Sequence, residues 1–271
     1  MTDADFSVLI SVYSKEDSEY LRIALNSIWE EQSLKPKEII LVKDGPLTDD
    51  LEKVIFDFSQ KAPLKILKLE SNSGLGISLA EGLKLCSCNL VARMDSDDIS
   101  KPDRFEKQVK FMSEHPEVGV LGTFIAEFKS TINNIVSYRK LPIEYSDIKL
   151  FAKKRNPLNH MTVIFRKEAI ISAGNYVAFY GYEDYYLWVR ILKNNITIVN
   201  LPDVLVYARI NNIYGKRRGI RLFAIEFKLQ KEFLRLGFTN NFNFLYNIIF
   251  RALPRLLPVG GLKLVYKFLR N

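Results

Sequence analysis

The chain has 271 residues, 48% hydrophobic and 26% charged, a balance that suits a folded globular protein and excludes a disordered one. Its two cysteines, Cys86 and Cys88, are separated by one residue. With no His or further Cys beside them, they exclude a zinc site or a disulfide framework and read as reduced, structural residues of a cytoplasmic protein.

The net charge of +8 is unevenly placed. Residues 214–271 hold 12 Lys or Arg against two acids, Glu226 and Glu232, whereas residues 1–213 hold 27 basic and 29 acidic residues. The positive excess therefore sits in the C-terminal fifth and points to an anionic partner there. The acidic start, Met-Thr-Asp-Ala-Asp, lacks the basic and apolar regions of a signal peptide. No uninterrupted apolar run reaches the roughly 18–20 residues of a spanning helix. We expect one α/β domain over 1–213 and a basic, amphipathic helical tail over 214–271.

Ser7–Tyr13 is apolar on both faces, as a buried parallel strand is. Leu21, Leu25, Ile28 and Trp29 recur at helical spacing, and Glu38–Val42 is a second strand closed by the turn signal Lys43-Asp44-Gly45-Pro46. A helix through Leu51, Val54, Ile55 and Phe58 leads to a strand at Leu64–Leu69. Asn72-Ser73-Gly74-Leu75-Gly76 opens a helix ending near Leu85, and Asn89–Met94 is the fourth strand. This alternation predicts a Rossmann-like, mostly parallel sheet flanked by helices. Downstream, the pattern predicts a helix over Pro102–Ser113, a strand at Val118–Thr123 and irregular excursions over 124–160. It then gives a strand at Thr162–Arg166, a short helix ended by Gly174, a helix at Glu183–Lys193, and strands at Ile196–Val199 and Val204–Ala208.

The strand Val91–Met94 runs straight into Asp95, Asp97 and Asp98. Like charges crowded at a strand end repel unless a cation or hydrogen-bond donors neutralise them. Hard oxygen ligands suit Mg²⁺ or Mn²⁺ beside substrate phosphates, although Asp-Ser-Asp-Asp alone also suits an acidic turn. A parallel sheet brings Tyr13, Asp44 and this cluster to one edge, where open α/β sheets bind ligands. An aromatic ring, a carboxylate for a base N–H and a metal-carboxylate group together suit a nucleoside diphosphate. Taken singly, Tyr13 also suits packing and Asp44 a turn. The second acidic centre, Glu183-Asp184, opens a helix that carries Trp188. Dipole capping is one reading and a general base the other. One of the two carboxylates should be the base, and we assign it to Asp184.

In order along the chain, Leu9-Ile10-Ser11-Val12-Tyr13, Ile40-Leu41-Val42-Lys43-Asp44-Gly45, Asn72–Gly76, Arg93-Met94-Asp95-Ser96-Asp97-Asp98 and Gly181-Tyr182-Glu183-Asp184 with Trp188 resemble family 2 glycosyltransferases of the GT-A fold. The likeness covers roughly residues 6–210 and is strongest to bacterial enzymes that build O-antigen or exopolysaccharide units on a lipid carrier. It implies inverting, metal-dependent transfer of a hexose, with glucose or galactose favoured, from a UDP-sugar. The implied acceptor is a lipid-diphosphate-linked sugar, GlcNAc-diphosphoundecaprenol being favoured. Tyr13 and Asp44 would contact uracil, Arg93 and Asp95 the nucleoside side, and Asp97 the Mn²⁺ or Mg²⁺, with Asp98 at the metal or donor sugar. Asp184 would be the base. Many relatives carry a metal-ligating histidine after the last core strand, where this chain reads Tyr207-Ala208-Arg209-Ile210-Asn211-Asn212. An Asn-His pair recurs in related sequences, which implies Asn159 and His160 on the acceptor side, with Glu183 nearby.

In the tail, Lys216-Arg217-Arg218 and Arg221 suit a diphosphate or a solvated helix face. Phe242, Phe244, Leu245, Ile248, Ile249, Leu253, Leu256 and Leu257 alternate with Arg251 and Arg255, as in helices lying in a membrane interface. The expected location is therefore cytoplasmic, on the inner face of the cytoplasmic membrane, with no nucleic-acid partner. The competing reading is a nucleic-acid-binding protein or metal-dependent nuclease using the basic tail.

Overall fold

The computed structural model describes residues 5–210 and 219–257, which fall into two compact units. Of the described residues, the first holds those up to Lys149 and Asn156–Arg209; the second combines Leu150–Arg155 with Ile210 and residues 219–257.

The first unit alternates β1 (Phe6–Val12), α1 (Ser18–Ile28), β2 (Glu38–Lys43), α2 (Asp49–Ser59), β3 (Leu64–Lys68), α3 (Leu75–Leu85) and β4 (Leu90–Met94). Helix α1 starts where the Asp17 carboxylate accepts the N–H groups of Glu19 and Tyr20 at 2.9 and 3.1 Å. Its apolar side buries Leu21, Leu25 and Ile28 against β1 and β2, in a core that includes Val8, Ile10, Ile39 and Leu41. The two-residue strand β5 (Ile99–Ser100), α4 (Arg104–Glu114), β6 (Val118–Phe128), β7 (Ile135–Arg139) and α5 (Tyr145–Phe151) follow. Then come a single 3₁₀ turn at His160–Thr162, β8 (Ile164–Arg166), α6 (Lys167–Ser172), α7 (Glu183–Lys193) and β9 (Thr197–Arg209).

One sheet runs β3-β2-β1-β4-β8-β6-β9-β5, with β7 on the free edge of β6. The first four strands are parallel, β8 is antiparallel to both β4 and β6, and β6 and β9 pair in parallel. The fold is thus the expected mixed α/β sheet with helices around it.

Three local differences from the sequence reading have physical causes. The segment 124–160 is more regular than expected, since β6 continues to Phe128 and turns back as β7. The two expected strands at 196–199 and 204–208 are one strand, β9. Thr123 pairs with Leu201 and Phe124 with Val204, so Pro202, which has no N–H to give, and Asp203 bulge out while the ladder continues. The expected strand at 162–166 begins two residues later, because Thr162 closes the 3₁₀ turn through its hydroxyl on the Asn159 carbonyl at 2.8 Å.

Both cysteines are free and buried. Burial pushes the Cys86 thiol up to about 12. Nearby, at the start of β2, buried Glu38 accepts from the Ser7 hydroxyl, from the Ser87 N–H and hydroxyl, and from Lys65 Nζ, at 2.6, 2.6, 2.9 and 2.6 Å.

In the second unit, α8 (Ile220–Arg235) and α9 (Asn241–Asn247) are followed by a wide π turn at Ile248–Ala252 and a 3₁₀ turn at Leu253–Leu256. Their centre is a buried ion network. Glu226 accepts from Arg251 Nε at 3.1 Å, Arg255 Nη2 at 2.8 Å and Gln230 Nε2 at 3.0 Å. Asn247 ties the network to the 150–155 segment by donating to the Lys153 carbonyl at 2.8 Å. A charge removed from water in this way needs pairing of this kind. The opposite side leaves Phe242 74% and Leu245 59% exposed, with Ile249, Phe250, Leu253 and Leu256 also open. No helix among the described residues is long and apolar enough to cross a membrane.

Candidate active site

The carboxyl ends of β1, β2 and β4 lie side by side, and each ends at a residue singled out in the sequence. Tyr13 follows β1 and is 37% exposed. Burial and the nearby Glu16, Asp97 and Tyr180 raise its phenol. Asp44 follows β2 and is buried; its carboxylate accepts the N–H groups of Ser73 and Gly74 at 2.6 and 3.0 Å. The turn depends on Gly45, whose φ of +87° favours glycine and where a Cβ would stand 2.7 Å from the Asn72 nitrogen.

At the end of β4, Asp95, Asp97 and Asp98 can each place one oxygen within 4.8 Å of the others. Burial first, and then the charge of Asp95, lifts Asp97 to about 6. The same causes, with Asp97 added, raise Asp98 well above the usual carboxylate range. Asp98 Oδ1 accepts the Arg209 N–H at 2.7 Å, whereas buried Oδ2 has no partner. Crowded carboxylates with an unpartnered buried oxygen fit a divalent cation.

Arg93 is only 1% exposed and is ion-paired with Asp95, while its Nε and Nη1 have no partner. Behind it, Arg104 is fully buried and donates from Nη2 to the Arg93 carbonyl at 2.7 Å. Burial, then the charge of Arg93, brings Arg104 down to about 9.

The second acidic centre opens α7. Asp184 Oδ2 accepts the Asn156 side-chain amide at 2.6 Å, and Oδ1 accepts the Tyr185 N–H at 2.7 Å. Burial raises Asp184 while those hydrogen bonds and the charge of Arg93 oppose the rise. Burial also raises Glu183. The charge of Arg93 acts on Asp97, Asp98 and Asp184 alike, so both acidic centres share one buried cation. Glycine at 76 lets the start of α3 approach this region, since a Cβ there would stand 2.6 Å from the Val177 carbonyl oxygen and 2.9 Å from Glu183 Cγ.

Asn159 and His160 are buried. Asn159 Nδ2 donates to the Thr123 carbonyl at 2.8 Å, and His160 Nε2 lies 3.0 Å from the Tyr176 hydroxyl. His160 packs edge-on to Trp188 and is held neutral by burial and by Arg93. Arg217 and Arg218 lie outside the described residues. The sequence reading gave no role to Asn156, Tyr176, Arg104 or Arg209; Asn156, Tyr176 and Arg209 meet partners distant in the chain, and no local motif announces any of the four.

A family model described as "Glycosyl transferase family 2" matches residues 7–174. The amylovoran biosynthesis glycosyltransferase AmsE of Erwinia amylovora is 41% identical, over 97% of this chain and 98% of its own. A protein of Escherichia coli named UDP-Gal:alpha-D-GlcNAc-diphosphoundecaprenol beta-1,3-galactosyltransferase is 38% identical, over 97% of this chain and 95% of its own. Among solved structures, TarS residues 1–349 of S. aureus superposes with a TM-score of 0.67 at 22% identity, covering 91% of this chain and 71% of that one. The fold is GT-A.

Proposed function

The chain belongs to glycosyltransferase family 2, and on that premise we propose that it is an inverting, metal-dependent hexosyltransferase of bacterial surface polysaccharide assembly. The donor in this reading is a UDP-sugar carrying galactose or glucose, and the acceptor is a GlcNAc unit on a lipid diphosphate. The 38% identity to the E. coli galactosyltransferase supports both choices, with galactose first. The observation that carries the reading is the carboxylate cluster at the end of β4, with Asp98 Oδ2 unpartnered, under the same buried Arg93 charge that reaches Asp184.

In this reading Asp97 holds the Mn²⁺ or Mg²⁺, with Asp95 and Asp98 at the metal or the donor. The bound ion supplies Lewis-acid neutralisation of charge developing on the departing nucleotide. Tyr13 stacks on the uracil, and Asp44 accepts a uracil N–H. A carboxylate offers about four lone-pair positions, so the two already given to Ser73 and Gly74 leave room. Arg93, being buried, acts on the nucleoside side through Asp95.

Asp184 takes the proton of the acceptor hydroxyl as its oxygen bonds to the anomeric carbon. The bond from that carbon to the phosphate oxygen breaks with its electrons, UDP leaves, and the single displacement inverts the configuration. The raised basicity of a part-buried carboxylate suits the task. Glu183 flanks the base, and Asn159 and His160 shape the acceptor side from behind. Arg217 and Arg218 are assigned to a diphosphate. The exposed apolar side of the second unit rests on the inner face of the cytoplasmic membrane, where the tail's positive charge meets anionic lipid.

A transfer assay tests the proposal, with a panel of UDP-sugars, a GlcNAc-diphosphate-lipid acceptor and Mn²⁺, Mg²⁺ or EDTA. Transfer of one hexose that EDTA abolishes is the expected result. UDP release by hydrolysis alone would remove the acceptor assignment. No turnover or binding of any UDP-sugar would remove the donor assignment.

A further inference from the structure

Arg209 ends β9 beside the acidic cluster, and five contacts fix it there. Its backbone N–H donates to Asp98 Oδ1 at 2.7 Å, Nε donates to the Asp97 carbonyl at 3.1 Å, and Nη1 to the Ser130 carbonyl at 3.4 Å. The guanidinium carbon lies 3.7 Å from the centre of the Tyr20 ring and 4.6 Å from that of Phe128. With only 9% of the residue exposed, this is a built setting for one planar cation. Arginine suits it because a guanidinium can stack on rings with its faces while donating from its edge.

We propose that Arg209 is a positioning residue of the metal–diphosphate site, clamping the Asp97–Asp98 peptide so that both carboxylates are aligned for a divalent cation while itself giving that cation no ligand. The inference rests on the metal-dependent reading above. A nearby positive charge by itself weakens cation binding, but two effects act the other way. The carbonyl contact fixes the peptide plane from which both carboxylates project, and the guanidinium offsets the mutual repulsion that would otherwise spread them. Outer partners of this kind typically change metal affinity by about 10–100-fold. Because the bond to Asp98 comes from the backbone of residue 209, a side-chain substitution leaves it in place and isolates the clamp on Asp97.

The test is Mn²⁺ binding by the full chain, read from the paramagnetic resonance signal of free Mn²⁺, with and without UDP, in the wild type, Arg209→Ala and Arg209→Lys. Circular dichroism and a thermal melt report folding. We expect both variants to bind Mn²⁺ in the presence of UDP about 10–100-fold more weakly than the wild type. Lysine should fail to rescue, because it keeps the charge but loses the planar fork. Wild-type affinity in folded Arg209→Ala, or full rescue by lysine, would overturn the clamp. If Arg209→Ala does not fold, Arg209→Lys and Tyr20→Leu decide the matter in the same way. A wild type that binds no Mn²⁺ with or without UDP takes down the metal reading itself, an outcome distinct from a variant that matches a binding wild type.

Discussion

Asn156 donates its side-chain amide to Asp184 Oδ2 over 2.6 Å, from a position 28 residues earlier in the chain. The bond aims one oxygen of the proposed base and restrains its basicity, while the Tyr185 N–H occupies the other oxygen. Asp184→Asn should therefore lower turnover by about 10²–10⁴-fold while UDP binding, followed calorimetrically, stays at the wild-type level. Equal turnover in a folded variant would remove the base assignment. Asn156→Ala should give a smaller loss, roughly tenfold, with the acidic limb of the pH–rate profile moved upward, since a bond favouring the ionised form is gone.

Asp98 combines a fixed oxygen with a free one. Asp98→Asn keeps an acceptor for the Arg209 N–H but loses the charge, so the fold should survive and Mn²⁺-supported UDP binding should fall at least about tenfold. Calorimetry with and without Mn²⁺ checks this, and an unchanged metal effect would remove Asp98 from the site.

Glu38 lies far from this chemistry and makes a stability prediction. Burial works against its ionisation, but Lys65, Ser7 and Ser87 together bring it from 4.5 down to about 2. A depressed carboxylate contributes stability above its unfolded value, and that contribution fades as pH falls from 4.5 through about 2. Glu38→Gln should cost on the order of 2 kcal/mol at pH 7. Urea unfolding at pH 7 and pH 3 should show the gap narrowing on acidification; a constant gap would refute the account.

At Gly76, the approach to Val177 and Glu183 leaves no room for a methyl group. Gly76→Ala should destabilise the chain by about 1–3 kcal/mol, lowering the midpoint of a thermal melt. A midpoint equal to wild type would show that the 177–183 segment yields freely.

The exposed apolar side of the second unit predicts vesicle binding. Phe242→Ser with Leu245→Ser should markedly reduce co-sedimentation with anionic vesicles, since both side chains stand open to solvent. Equal sedimentation of the double variant would place membrane contact elsewhere.

Much of the fold was legible because parallel strands buried on both faces read as continuous apolar runs, as in Val8-Leu9-Ile10 and Ile39-Ile40-Leu41-Val42. The site's acids were legible because charged groups at strand ends stand out against those runs. What stayed hidden depends on long-range pairing. The hairpin partner of β6 carries no tight-turn signature. The Pro202 bulge reads locally as a strand break. Arg209 reads as one more basic residue until β9 brings it to Asp98, 111 positions away.

The two thiols have a practical consequence. Cys86 and Cys88 are shielded by the fold, and Cys86 at about 12 carries almost no thiolate at neutral pH. A maleimide fluorophore or spin label should therefore ignore the native chain, and a single cysteine introduced on the surface can report depth in a bilayer without first removing the two that are there.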